Sequence, residues 1–105
     1  MIVLVAAGSL ALPLSAQQST PTQYDVAITN YQFAPQRLTV KSGDTVVWTN
    51  RDYVRHTATA IDGTWTTGTL SGKGSATKTF EKPGTYDYAC GFHPDMKGTV
   101  VVEAR

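Results

Sequence analysis

The chain has 105 residues, of which 41% are hydrophobic, 10% aromatic and 16% charged, with a formal net charge of +1. That length holds one domain, the aromatic side chains give a core something to bury, and the charge fraction is too low for a disordered chain. Near-neutrality without a run of like charge excludes an electrostatic case for nucleic acid or an anionic membrane surface, and a single cysteine excludes an internal disulfide.

Met1–Ala16 carries no charged side chain, and its apolar run Ile2–Leu12 has the length of a signal-peptide core. A membrane span needs about 20 consecutive apolar residues. Residues 1–16 therefore read as a cleaved signal, with Ala16 the last residue removed. A positively charged start is missing, and an uncleaved anchor or an apolar first strand are the alternatives. Export implies an oxidising compartment in which an idle thiol is a liability, so Cys90 needs an occupation. Gln17–Gln23 is polar and Pro-containing and reads as a linker or frayed terminus.

From Tyr24 onward helical periodicity is absent, and runs rich in Val, Thr, Tyr and Ile alternate with turn signals. The expected strands are Tyr24–Thr29, Arg37–Lys41, Thr45–Asn50, His56–Ile61, Ser75–Phe80, Thr85–Cys90 and Gly98–Glu103. Ser42–Asp44 and Lys82–Gly84 read as turns, Arg51–Arg55 as a polar loop, and Asp62–Gly74 and Gly91–Lys97 as loops. The pattern predicts an all-β chain, an antiparallel Greek-key sandwich or barrel of about seven to eight strands, over residues 24–105.

Cys90, His93 and Met96 place three soft or borderline metal ligands in one short stretch. Side chains on a strand alternate faces, so Tyr86, Tyr88 and Cys90 share one. Met96 has the parity of Val100 and Val102. His56 shares a face with Ala58 and would reach the same end of the sandwich by fold closure. Two imidazoles, a thiolate and a thioether suit copper, and a trigonal His₂Cys set with a distant axial Met describes a blue-copper electron-transfer centre. Singly, each has a plainer reading: Cys90 as a small buried hydrophobe, Met96 as core filler, His56 as a surface or capped histidine. Trp48 and Trp65 read as packing residues, Trp65 with docking as its alternative. Lys41, Lys73, Lys78 and Lys82 read as a solvated face.

The pattern Gly84-Thr-Tyr-Asp-Tyr-Ala-Cys90-x-x-His93-Pro94-x-Met96-x-Gly98, together with Phe33-Ala-Pro, Leu38-Thr-Val-Lys-Ser-Gly-Asp-Thr-Val-Val-Trp48 and His56, resembles the small blue copper proteins, or cupredoxins. The similarity runs from about Tyr24 to Glu103. Two residues between His93 and Met96 make the short ligand loop of the amicyanin-type, plastocyanin-like members. The resemblance implies one copper ion, with His56, Cys90 and His93 equatorial and Met96 axial. It also implies an exit for electrons at His93, edged by Phe92, Pro94 and Tyr53, with Val54 nearby. Arg55, Asp95 and Lys97 would give that edge a mixed charge.

Three positions depart from the family pattern. Thr57 stands where Asn usually follows the first ligand, which leaves the backbone contact to sulfur possible and puts the side-chain brace on Gly91 in doubt. Phe92 replaces a Pro and restores an N–H. Asp95 replaces an apolar residue. Changes around the ligands shift potential and affinity without abolishing a site.

The expected function is a periplasmic or otherwise exported carrier of single electrons, with no catalytic residues. It would act as a monomer meeting a transient protein partner (a dehydrogenase, cytochrome or oxidase). Copper storage, delivery or resistance at the same site is the alternative, and a zinc-filled docking domain the third. A copper enzyme would need a second centre, which two histidines cannot build.

Overall fold

A computed structural model describes residues 20–105. The signal reading of residues 1–16 and the first three residues of the linker reading, 17–19, lie outside that range. Eight strands are found among the described residues: β1 Gln23–Thr29, β2 Gln32–Ala34, β3 Arg37–Lys41, β4 Asp44–Asn50, β5 Thr59–Ala60, β6 Ser75–Phe80, β7 Gly84–Ala89 and β8 Lys97–Glu103. They form two four-stranded sheets, ordered β2-β1-β4-β6 and β3-β8-β7-β5. The expected sandwich is therefore present.

The sheets are mixed, which corrects the antiparallel expectation. β1 runs parallel to β4, with Tyr24 opposite Val46, and β3 runs parallel to β8, with Val40 opposite Val102. The remaining pairs are antiparallel. Turn signals report only the local reversals between consecutive strands. Whether two strands distant in sequence run parallel is decided by how often the chain crosses between sheets, which leaves no local signature.

Alternation decides what the sheets bury. In β4 every second residue from Asp44 to Asn50 is buried, Val46 and Trp48 among them. In β8 the inward set is Gly98, Val100 and Val102. Trp48 sits at the centre of the core, with ring centroids 5.5 Å from both Tyr88 and Trp65 and 6.4 Å from Phe80. Trp65 is thus a packing residue, and Lys78 lies over its ring at 5.6 Å. Burial pushes the Tyr88 hydroxyl up to about 12, so it stays neutral. Tyr88 faces Gly98 across the β7–β8 pair, and a Cβ at Gly98 would fall within the van der Waals envelope of the Tyr88 ring.

The strand expected over His56–Ile61 shortens to Thr59–Ala60. Two of its N–H groups bond to side chains instead of a ladder: Thr57 N–H points to Cys90 Sγ and Ala58 N–H donates to Thr67 Oγ1. His56 keeps a single bridge to Leu70. The face survives even so, because His56, Ala58 and Ala60 are all buried.

One pole of the sandwich is closed by Asp44, which is 1% exposed. Its carboxylate accepts the Thr22 and Lys41 N–H groups, each at 2.8 Å, and pairs with Arg105. Burial raises the Asp44 carboxyl, but those hydrogen bonds and the Arg105 charge outweigh it and hold the group below its ordinary 3.8. A depressed folded pKa contributes stability above the unfolded pKa that is lost as pH falls through the folded one. Urea unfolding should therefore show a constant Asp44 contribution near neutrality that fades below about pH 4. Asp44→Asn should cost about 2–3 kcal/mol at pH 7, with a much smaller difference from the wild type in acid.

Candidate metal centre

The opposite pole gathers the chemistry. β7 ends at Ala89, and the next residue, Cys90, continues the inward parity of Tyr86 and Tyr88 and is 1% exposed. The chain then closes a tight loop: Cys90 N–H donates to Met96 O at 3.1 Å, and Met96 N–H donates to His93 O at 2.9 Å. This loop turns His93 back over the end of the strand. Cys90 Sγ lies 3.6 Å from His93 Nδ1 and 3.7 Å from His56 Nδ1. The three donor atoms lie within 4.8 Å of one another. Met96, whose backbone closes that loop, is buried at 5% exposure and has the parity of the buried Val100 and Val102.

His56 is fully buried and is aimed from both sides. Its Nε2 lies 2.8 Å from Asp52 Oδ2, so the Nε2 proton is donated to the carboxylate and Nδ1 is left with a free lone pair facing the sulfur. Asp52 also accepts the Asn30 N–H at 2.8 Å and the Tyr31 N–H at 3.0 Å. Burial raises its carboxyl, but these N–H bonds and His56 outweigh that and hold it below the usual carboxylate range. Buried Asn50 anchors the loop that carries Asp52. Its Nδ2 donates to Val54 O and Leu70 O, and its Oδ1 accepts the Asp52 N–H.

Thr57 does two things. Its N–H points at Cys90 Sγ at 3.4 Å, and its Oγ1 accepts the Gly91 N–H at 2.8 Å. The brace placed in doubt by the absence of Asn is therefore made by a hydroxyl, which reaches because Gly91 has no side chain to hold it off. Outside the site, Phe92 is 44% exposed beneath the Arg55 guanidinium, 4.8 Å from its ring centroid. Pro94 is exposed, and Tyr53 projects fully into solvent. Tyr53, Val54, Arg55, Phe92 and His93 line one shallow surface depression.

A family model for the cupredoxin-like domain matches residues 1–102. The chain belongs to the cupredoxin family. Among curated relatives, amicyanin of Paracoccus denitrificans is 35% identical over 96 residues, covering 87% of this chain and 73% of that protein. Amicyanin-alpha of Methylorubrum extorquens is 34% identical over 104 residues, covering 94% and 85%. Among solved structures, the Cu(I) form of a mutant amicyanin aligns with a TM-score of 0.74 at 33% identity, covering 84% of this chain and 89% of that one.

The residues present fit that family's metal. A thiolate with two imidazoles and a buried thioether is a soft donor set, and the metal such a cupredoxin set takes is copper. A zinc site of this kind would leave the thioether without a role. Sequence reasoning brought together His56, Cys90, His93 and Met96 but missed Asp52 and Tyr31. The available signals are an acid four residues before His56, within the polar loop Arg51–Arg55, and an Asn-Tyr pair between two strand patterns.

Thr57→Val should separate the two contacts of Thr57. The backbone donor to sulfur persists while the bond to Gly91 is lost, so copper affinity by chelator competition should fall about tenfold with the visible absorption band retained.

Proposed function

We propose that this cupredoxin is a type 1 copper protein that carries single electrons between redox partners. The observation that carries this reading is the meeting of Cys90 Sγ with one ring nitrogen from each of His56 and His93, at 3.7 and 3.6 Å. His56, Cys90, His93 and Met96 are the residues that would hold the copper ion. When bound, copper supplies a one-electron Cu(I)/Cu(II) couple at this pole.

The chain's own residues supply the rest. Asp52 fixes the tautomer of His56, Thr57 donates to the sulfur, and the closed Cys90–Met96 loop keeps the donors in place whichever oxidation state is held. His93 is half-buried and the most outward of the donors, so its ring is the assigned electron exit. Tyr53, Val54 and Phe92 offer apolar surface around it, and Arg55 adds charge, which suits a small transient contact with a protein partner. The set of three close donors and a thioether leaves no open position for substrate, in keeping with a carrier and not an enzyme. Residues 1–16 are assigned as an export signal, with the periplasm as the working compartment.

Purified protein titrated with Cu(II) should turn intensely blue and give the narrow parallel hyperfine splitting of type 1 copper by EPR. A colourless product with ordinary type 2 signals overturns the reading. Cys90→Ser should abolish the colour. Met96→Ala should keep it but shift the reduction potential measured by voltammetry.

A further inference from the structure

The turn between β1 and β2 breaks a local rule. Both of its central residues have positive φ, 53° at Asn30 and 58° at Tyr31. Two-residue hairpin turns of that hand favour Asn followed by Gly. Asn tolerates the left-handed region, but a bulky aromatic there meets the clash between Cβ and carbonyl that makes it costly. Asp52 holds the turn in place by accepting both N–H groups.

Packing in the hydrophobic core does not account for Tyr31. It lies outside the core cluster and is 47% exposed. Its ring instead stands edge-on to both imidazoles. The centroid is 4.8 Å from that of His93 at an interplanar angle of 79°, and 5.2 Å from that of His56 at 85°. The two imidazoles are themselves 5.0 Å apart. Backbone strain persists where the surrounding structure over-determines it, and it concentrates at functional sites. His56 is already fixed by burial and by Asp52. His93 sits on a loop and is only half-buried, so it is the ring that needs support from outside.

We propose that Tyr31 is a positioning residue for the copper centre: its ring closes over the two imidazoles and holds His93 in place against Cys90. This rests on the reading that those imidazoles bind copper. Asp52 ties the two sides together, since one carboxylate fixes His56 and the backbone that presents Tyr31.

The test compares Tyr31→Gly and Tyr31→Phe with the wild type in the full chain. Tyr31→Gly relieves the turn, so the melting temperature of the metal-free protein should hold or rise by about 4 °C. Its Cu(I) affinity, by competition with a chromophoric chelator, should fall about tenfold, and its Cu(II) EPR hyperfine splitting should move. Tyr31→Phe keeps the ring and should match the wild type in all three. A merely structural role would lower metal-free stability and copper affinity together. That result overturns the proposal, as does a Gly variant with wild-type affinity and EPR. Wild-type protein that takes up no copper would overturn the functional reading instead. The metal-free arm then still decides on Tyr31. The His93 imidazole proton shifts should lose the Tyr31 ring-current displacement in Tyr31→Gly, and unchanged shifts overturn the proposal.

Discussion

The pole that carries the chemistry depends on one constraint, the closure of the Cys90–Met96 loop onto the end of β7. Two backbone hydrogen bonds, Cys90 N–H to Met96 O and Met96 N–H to His93 O, make this segment a compact turn. Strand parity brings Cys90 to the loop already facing inward. The loop then has only to turn His93 back to the sulfur and to bring Met96 into the core. Those main-chain bonds set the backbone from which the donors of this segment project, and the His93 ring is left to its neighbours.

The rest of the molecule holds a second, distant segment against that loop. His56 arrives from the other side, and three contacts keep it there: Asp52 on Nε2, the Leu70 bridge on its backbone, and the neighbouring Thr57 on Cys90 and Gly91. The Trp48–Tyr88–Trp65 packing sets the spacing of the two sheets beneath. Movement of Tyr88 would carry Cys90 with it, because Cys90 follows directly on that strand with the same inward parity. The contact between Tyr88 and Gly98 is thus a support of the site as well as of the core.

The two poles use carboxylates in the same way, Asp44 buried and Asp52 partly so. Asp44 gathers two backbone N–H groups and Arg105 at one end, and Asp52 gathers two backbone N–H groups and His56 at the other. Each carboxylate accepts backbone N–H groups at the ends of strands, where the chain turns. At the Asp52 end the fourth member is a histidine, so a closure that is structural at one pole becomes an aiming device at the other.

Periodicity by itself determined much of this protein. Alternation along Tyr86, Tyr88 and Cys90, and along Met96, Val100 and Val102, settles which face each presents, because a strand has a period of two whatever it pairs with. The spacing Cys-x₂-His-x₂-Met is local too, and it carries the nature of the donors. Tertiary structure alone decided the parallel pairings of β1 with β4 and β3 with β8, and the arrival of His56 at the sulfur. It also decided that the break in the His56–Ile61 strand comes at Thr57, whose N–H turns to a thiol. Asp52 and Tyr31 belong with these: an acid in a polar loop and an aromatic in a tight turn look ordinary until the fold sets both beside the same imidazole. Pairing direction and contact between distant segments depend on how the chain closes in space, and no window of neighbouring residues contains that information.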